Sequence, residues 1–182
     1  FAPVDDDIMY TMEGLLIMEE YGKDFTTENV GESWLKYVPY GYTAEEAALR
    51  NLKKGFKGEA AALDHNPYLQ LIGADIRSDP WAYMAPGHPE LAAEFAYRDA
   101  MLTHRRNGVY GAMYFAAAEA IAFCVDDPMD ALKLAMNEIP QDCLLARSLR
   151  WAFKECPNIH SYLEAREAVN KRFPDMPIAH TL

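Results

Sequence analysis

The stretch from Tyr110 to Cys124 limits the fold more than any other part of the chain. It is rich in alanine, with Met113, Phe115, Ile121 and Phe123 set among the small residues. Alanine has the highest intrinsic helix propensity, and small side chains let neighbouring helices approach closely. The segment is therefore expected to be a central helix with partners on several sides. No strand-like alternation persists elsewhere and no internal repeat is visible, so the rest of the chain must surround that helix with others.

The flanking patterns fit. A first helix is expected from about Asp6 to Tyr21, where Met9, Met12, Leu15, Leu16 and Glu19 fall at helical spacing and Gly22 supplies the stop. A shorter helix runs from Thr27 to Tyr37, ahead of Pro39. Thr43 and Glu46 read as a capping box for a helix ending near Gly55. Between Leu63 and Pro89, the residues Pro67, Pro80, Pro86, Gly73 and Gly87 forbid a long helix, although Tyr68 to Asp75 suits a helical turn or a short one. From Pro89 the apolar stripe resumes with Leu91, Ala92, Phe95, Ala96, Ala100 and Met101, and Asn107-Gly108 marks a break. Asp127-Pro128 reads as N-cap plus first-turn proline. Further helix starts fall at Pro140-Gln141-Asp142 and near Ser161, with Pro157 and Pro174 as closing residues. The reading is all-α: one domain, a multi-helix array of about seven or eight helices, an architecture that places ligand sites between facing helices.

Charge narrows the function classes. The 182 residues carry a formal net charge of −11, against a broad nucleic-acid surface and against an anionic membrane. No apolar run is long enough to span a bilayer, and no signal peptide is visible. The three cysteines, Cys124, Cys143 and Cys156, form no Cys-x-x-Cys pair and are expected to be reduced, small buried apolar residues in a cytoplasmic setting.

Three clusters carry chemistry. Asp5, Asp6 and Asp7 open the first helix. Acids there cap the helix and meet its positive end. Adjacent carboxylates also repel, so gathering them favours a hard cation such as Mg²⁺, with more oxygen donors arriving from elsewhere. Gly73 to Trp81 holds Asp75, Arg77, Ser78 and Asp79 close together. Arg77 there either pairs with Asp75 or Asp79 or holds a phosphate, for which its fork is suited. Thr103 to Gly111 joins two helical segments; it is either a basic helix end with a glycine turn or an N-terminus near Val109 that offers backbone N–H groups to phosphate. Neither His104 nor the other histidines show metal-type spacing, and no Walker loop, nucleophile elbow or zinc motif is present.

Taken together, these stretches resemble the ADP-ribosylglycohydrolase family. The aspartate run is similar to the family's Thr/Ser-Asp-Asp element, with Asp6 and Asp7 at the aspartate positions and Asp5 at the hydroxyl position. Thr11 matches a recurring helix threonine, whereas Ile8 stands where many members have a hydroxyl residue. Tyr42-Thr43-Ala44-Glu45-Glu46, Ile72 through Asp79, Arg98-Asp99-Ala100 through Thr103-His104, and Asn107 through Met113 resemble a bacterial branch. The resemblance implies an orthogonal helical array and a hydrolase that cleaves the N- or O-glycosidic bond of an ADP-ribosylated protein or an ADP-ribose-containing small molecule. It implies two Mg²⁺ ions, with Mn²⁺ as a substitute, held by Asp5, Asp6 and Asp7. Gly73, Asp75 and Arg77 would lie near the ribose or diphosphate, with Asn107, Gly108 and Tyr110 as further contacts. The family's N-terminal glycine-rich segment and C-terminal Asp-x-Asp element have no counterpart between Phe1 and Leu182, so the chain is expected to be a piece of a larger domain. A non-catalytic ADP-ribose reader or structural relative is the alternative.

Overall fold

The computed structural model describes residues 5–174; the chain end at His180-Thr181-Leu182 lies outside them. Within that range the elements are α1 (Asp6–Tyr21), α2 (Thr27–Tyr37), α3 (Thr43–Lys53), α4 (Asp79–Tyr83), α5 (Pro89–Ala100), α6 (Asn107–Ala122), α7 (Pro128–Leu134), α8 (Leu144–Glu155) and α9 (Tyr162–Arg172). Four 3₁₀ turns join them, of which Ile72–Arg77 matters most here. No extended strand occurs among the described residues.

The alanine-rich helix is central, for the reason its composition gives. Along α6, Val109, Ala112, Ala116 and Ala120 join a core shared with α1 to α5, whereas Tyr114, Ala117, Ala118 and Ile121 join a second core with α7 and α8. Each stripe repeats at three- and four-residue steps, so one helix with small side chains separates and closes both cores.

Local signals set the termini. Asp5 caps α1 by accepting from the Ile8 N–H at 3.1 Å, and Gly22, at φ +71°, ends it. Asp127 accepts from the Met129 N–H at 2.8 Å, with Pro128 in the first turn of α7. Ser161 caps α9.

Four expectations need correction. The buried face of α1 is Tyr10, Glu13, Gly14 and Ile17, while Met12 and Leu15 are exposed. The capping box belongs to α2, where Thr26 and Asn29 bond reciprocally; α3 starts after Tyr42 with no side-chain cap. Asn107-Gly108 begins α6 rather than preceding it, and the break lies at 101–106. The cysteines are free but none is buried, because all three fall at helix ends, where Cys143 Sγ accepts from the Ala146 N–H and caps α8.

Candidate functional site

Capping by Asp5 fixes where α1 starts, and so places Asp6 and Asp7 in its first turn. Tyr10 follows at the three- and four-residue steps that share a helix face. These three residues line a cavity of about 370 Å³ with Tyr42, Thr43 and Glu45 from the start of α3, and Leu71, Ile72, Gly73 and Ile76 from the 3₁₀ segment. Burial, then Asp6, Asp5 and Asp79 in that order, push the Asp7 carboxyl above its usual range. No cation among the described residues lies within ion-pairing distance of Asp6 or Asp7. Thr11 Oγ1 donates to the Asp7 carbonyl, and Ile8 is exposed.

Beneath the cavity lies a buried ionic cluster. The Arg77 side chain is 1% exposed; its Nε donates to Asp99 Oδ2 at 2.8 Å, Nη1 to Glu45 Oε1 at 3.0 Å and Nη2 to Thr103 Oγ1 at 3.0 Å. The guanidinium sits 5.3 Å from the Tyr10 ring centroid and 5.1 Å from that of Trp34, beside the stacked pair that the two rings form. Arg77 thus pairs with neither Asp75 nor Asp79, and its donors are engaged inside the protein rather than presented to a phosphate. Burial raises the Glu45 and Asp99 carboxyls while Arg77 opposes the shift in both. His104 is fully buried, with Nδ1 2.6 Å from Thr103 Oγ1; burial first, then Arg77 and Arg105, push its pKa well below the usual value, so it is neutral.

Asp75 lies on the same 3₁₀ segment but not on the cavity wall. Its Oδ1 has no hydrogen-bond partner among the described residues, and burial pushes its pKa up to about 8 against the opposing pull of Arg77. Gly73 is on the wall, and a β-carbon there would stand 2.2 Å from Glu45 Oε1.

Asn107 and Tyr110 line a different cavity, of about 380 Å³, with Gln70, Arg106, Pro140, Asp142, Cys143 and Leu144. The segment 70–72 divides the two, Gln70 facing one and Leu71 and Ile72 the other. Asn107 donates to Gln70 Oε1 at 2.8 Å and accepts from the Leu145 N–H at 3.0 Å, so its amide ties the start of α6 to that of α8. The Gly108 and Val109 N–H groups donate to the Arg105 and Arg106 carbonyls, so of the two readings of this segment the helix end with a turn is the one these bonds fit. At Gly108 a β-carbon would meet the Leu69 carbonyl at 2.6 Å.

Glu45 is the site residue that sequence reasoning passed over. The stretch containing it suggests helix capping and a family resemblance, but neither assigns Glu45 a role. A signal was present: Glu45 shares a helix face with Ala48, Leu49 and Leu52, and a carboxylate on an apolar stripe demands a buried partner.

The model of one protein family, ADP-ribosylglycohydrolase, matches residues 4–182. No curated protein and no solved structure matches the chain.

Proposed function

The chain belongs to the ADP-ribosylglycohydrolase family, and from that premise we propose that it hydrolyses the glycosidic bond of ADP-ribosylated substrates with Mg²⁺ held at Asp6 and Asp7. The observation that carries the reading is the shared wall of one cavity by Asp6, Asp7, Glu45 and Gly73.

The donor set fits a hard cation that keeps part of its water. Magnesium is commonly bound through one or two carboxylates plus substrate oxygens. Among the described residues no group of three His, Cys, Asp or Glu side chains is placed to hold a metal ion, so Asp6 and Asp7 supply a half-site. Burial first, and then the charges of Asp6 and Asp5, raise the Asp7 carboxyl, and a cation bound there would offset both. Asp5 contributes through its charge, since one of its oxygens caps α1.

Cleavage of a ribosyl bond passes through an oxocarbenium-like state and needs a positioned water. A bound divalent ion supplies a water of lowered pKa and orients ribose hydroxyls. The chain's own residues do the rest. Tyr42, Leu71, Ile72 and Ile76 give the cavity an apolar wall on which a sugar can pack, and Gly73 lets the Glu45 carboxylate sit against the backbone at its edge. Arg77 and Asp99 act from below, fixing Glu45 without touching the ligand.

The test is ADP-ribose release from ADP-ribosylated arginine, serine and nucleotide acceptors, by the protein with Mg²⁺ and with EDTA. Release that requires Mg²⁺ and disappears in Asp6→Ala is expected. Tight ADP-ribose binding that is indifferent to EDTA and accompanied by no release would assign the protein as a reader instead.

A further inference from the structure

We infer that Glu45 contacts the substrate directly, its carboxylate acting as a fixed hydrogen-bond acceptor for a hydroxyl of the terminal ribose. The inference rests on the ADP-ribosyl reading of the cavity and adds to it a recognition residue outside the aspartate run.

Glu45 is held from one side. Oε1 accepts from Arg77 Nη1 at 3.0 Å, Oε2 has a longer contact with Thr43 Oγ1 at 3.4 Å, and the carboxylate also bonds its own backbone N–H. A carboxylate has about four lone-pair sites, so acceptor capacity remains on the cavity side. The side chain is only 5% exposed, and that small opening is onto the cavity shared with Asp6 and Asp7.

Two backbone features preserve this arrangement. Any residue larger than glycine at position 73 would put its β-carbon 2.2 Å from Oε1, so the close approach requires Gly73. Thr43, whose hydroxyl touches Oε2, has φ +46°. A β-branched residue in the left-handed region is strained, and such strain concentrates where the surroundings hold a site in shape.

The chemistry selects a hydroxyl. Arg77 is shared between Glu45 and Asp99 and holds Glu45 by a hydrogen bond, so the carboxylate is fixed in place as an acceptor. What remains is a rigid acceptor beside an apolar wall, matched to the O–H of a sugar whose faces pack on Ile72 and Ile76. Because Arg77 is itself buried and fixed by Asp99 and Thr103, the acceptor needs no rearrangement on binding.

The experiment is calorimetric titration of the full protein with ADP-ribose and with ADP, which lacks the terminal ribose. Glu45→Gln keeps the side-chain shape and leaves Asp99 to neutralise Arg77. It should weaken ADP-ribose binding about 10-fold or more, the range of a charged hydrogen bond, and change ADP binding less than about 2-fold. Gly73→Ala leaves every charge in place and displaces the carboxylate, so it should reproduce the selective loss even if Glu45→Gln fails to fold. Equal losses for both ligands, or undiminished ADP-ribose binding in a folded variant, would overturn the contact while sparing the family reading. A wild-type protein that binds neither ligand would sink the ADP-ribosyl reading and this contact with it.

Discussion

Arg77 shows how little an ion's chemistry type says before its neighbours are known. By sequence it was open between pairing with a nearby acid and binding a phosphate. Its partners are Asp99, 22 positions away, and Glu45, 32 positions away, and no local pattern reports pairings of that range. A buried cluster of this kind is costly to break and cheap to replace as a whole. Arg77→Met strands two buried carboxylates and should cost about 3–5 kcal/mol in urea denaturation, or abolish folding. The triple variant R77M/E45Q/D99N leaves no charge behind and should recover much of that loss. If the triple variant is less stable than the single one, the cluster is stabilised by more than charge compensation.

At the scale of elements, most helix ends were legible from local rules, the Thr43–Glu46 capping box being an exception. Asp5, Gly22, Asp127-Pro128 and Ser161 mark ends through hydrogen bonds to their own neighbours, and the structure uses each of them so. Faces were less legible. On α1, Met12 and Leu15 are exposed and Glu13 is buried, because an exposed apolar residue is ordinary and the inward face is chosen by what packs against it. At Gly14 that partner is α4: a β-carbon there would stand 2.5 Å from Pro80 Cγ and 2.7 Å from Pro80 Cβ. Alanine there gains about 1 kcal/mol of helix propensity, but the clash with a rigid ring outweighs it. Gly14→Ala should therefore destabilise the protein by about 1–3 kcal/mol in thermal or urea unfolding. The lost contact is the one that seats the helix carrying Asp6 and Asp7, so ligand affinity should fall alongside stability.

The molecule as a whole couples its fold to pH through acids held away from water. The aspartate run was legible as a cap and an anionic patch, but its cavity partners Glu45 and Gly73 come together only through tertiary packing, as do the half-buried acids Asp75 and Glu119. Asp75 is raised from 3.8 to about 8, chiefly by burial, and Glu119 from 4.5 to about 7 by burial and then by Asp79. Each binds a proton more readily in the folded chain than in the unfolded one. Their contribution is complete below the unfolded values, near pH 4, and is lost as pH rises through about 7 and 8. His104 works in the opposite sense: its lowered pKa means that stability falls as pH drops below the ordinary histidine value. A comparison against Asp75→Asn/Glu119→Gln isolates the acids, because His104 titrates identically in both proteins. Between pH 5 and pH 8 the wild type should lose stability relative to the double variant, by less than about 1.4 kcal/mol per pH unit for each proton of difference, since solvent screens the partly exposed Glu119. Urea denaturation of both at the two pH values measures it. If the stability difference between them is the same at pH 5 and pH 8, Asp75 and Glu119 are charged in the folded protein throughout that range.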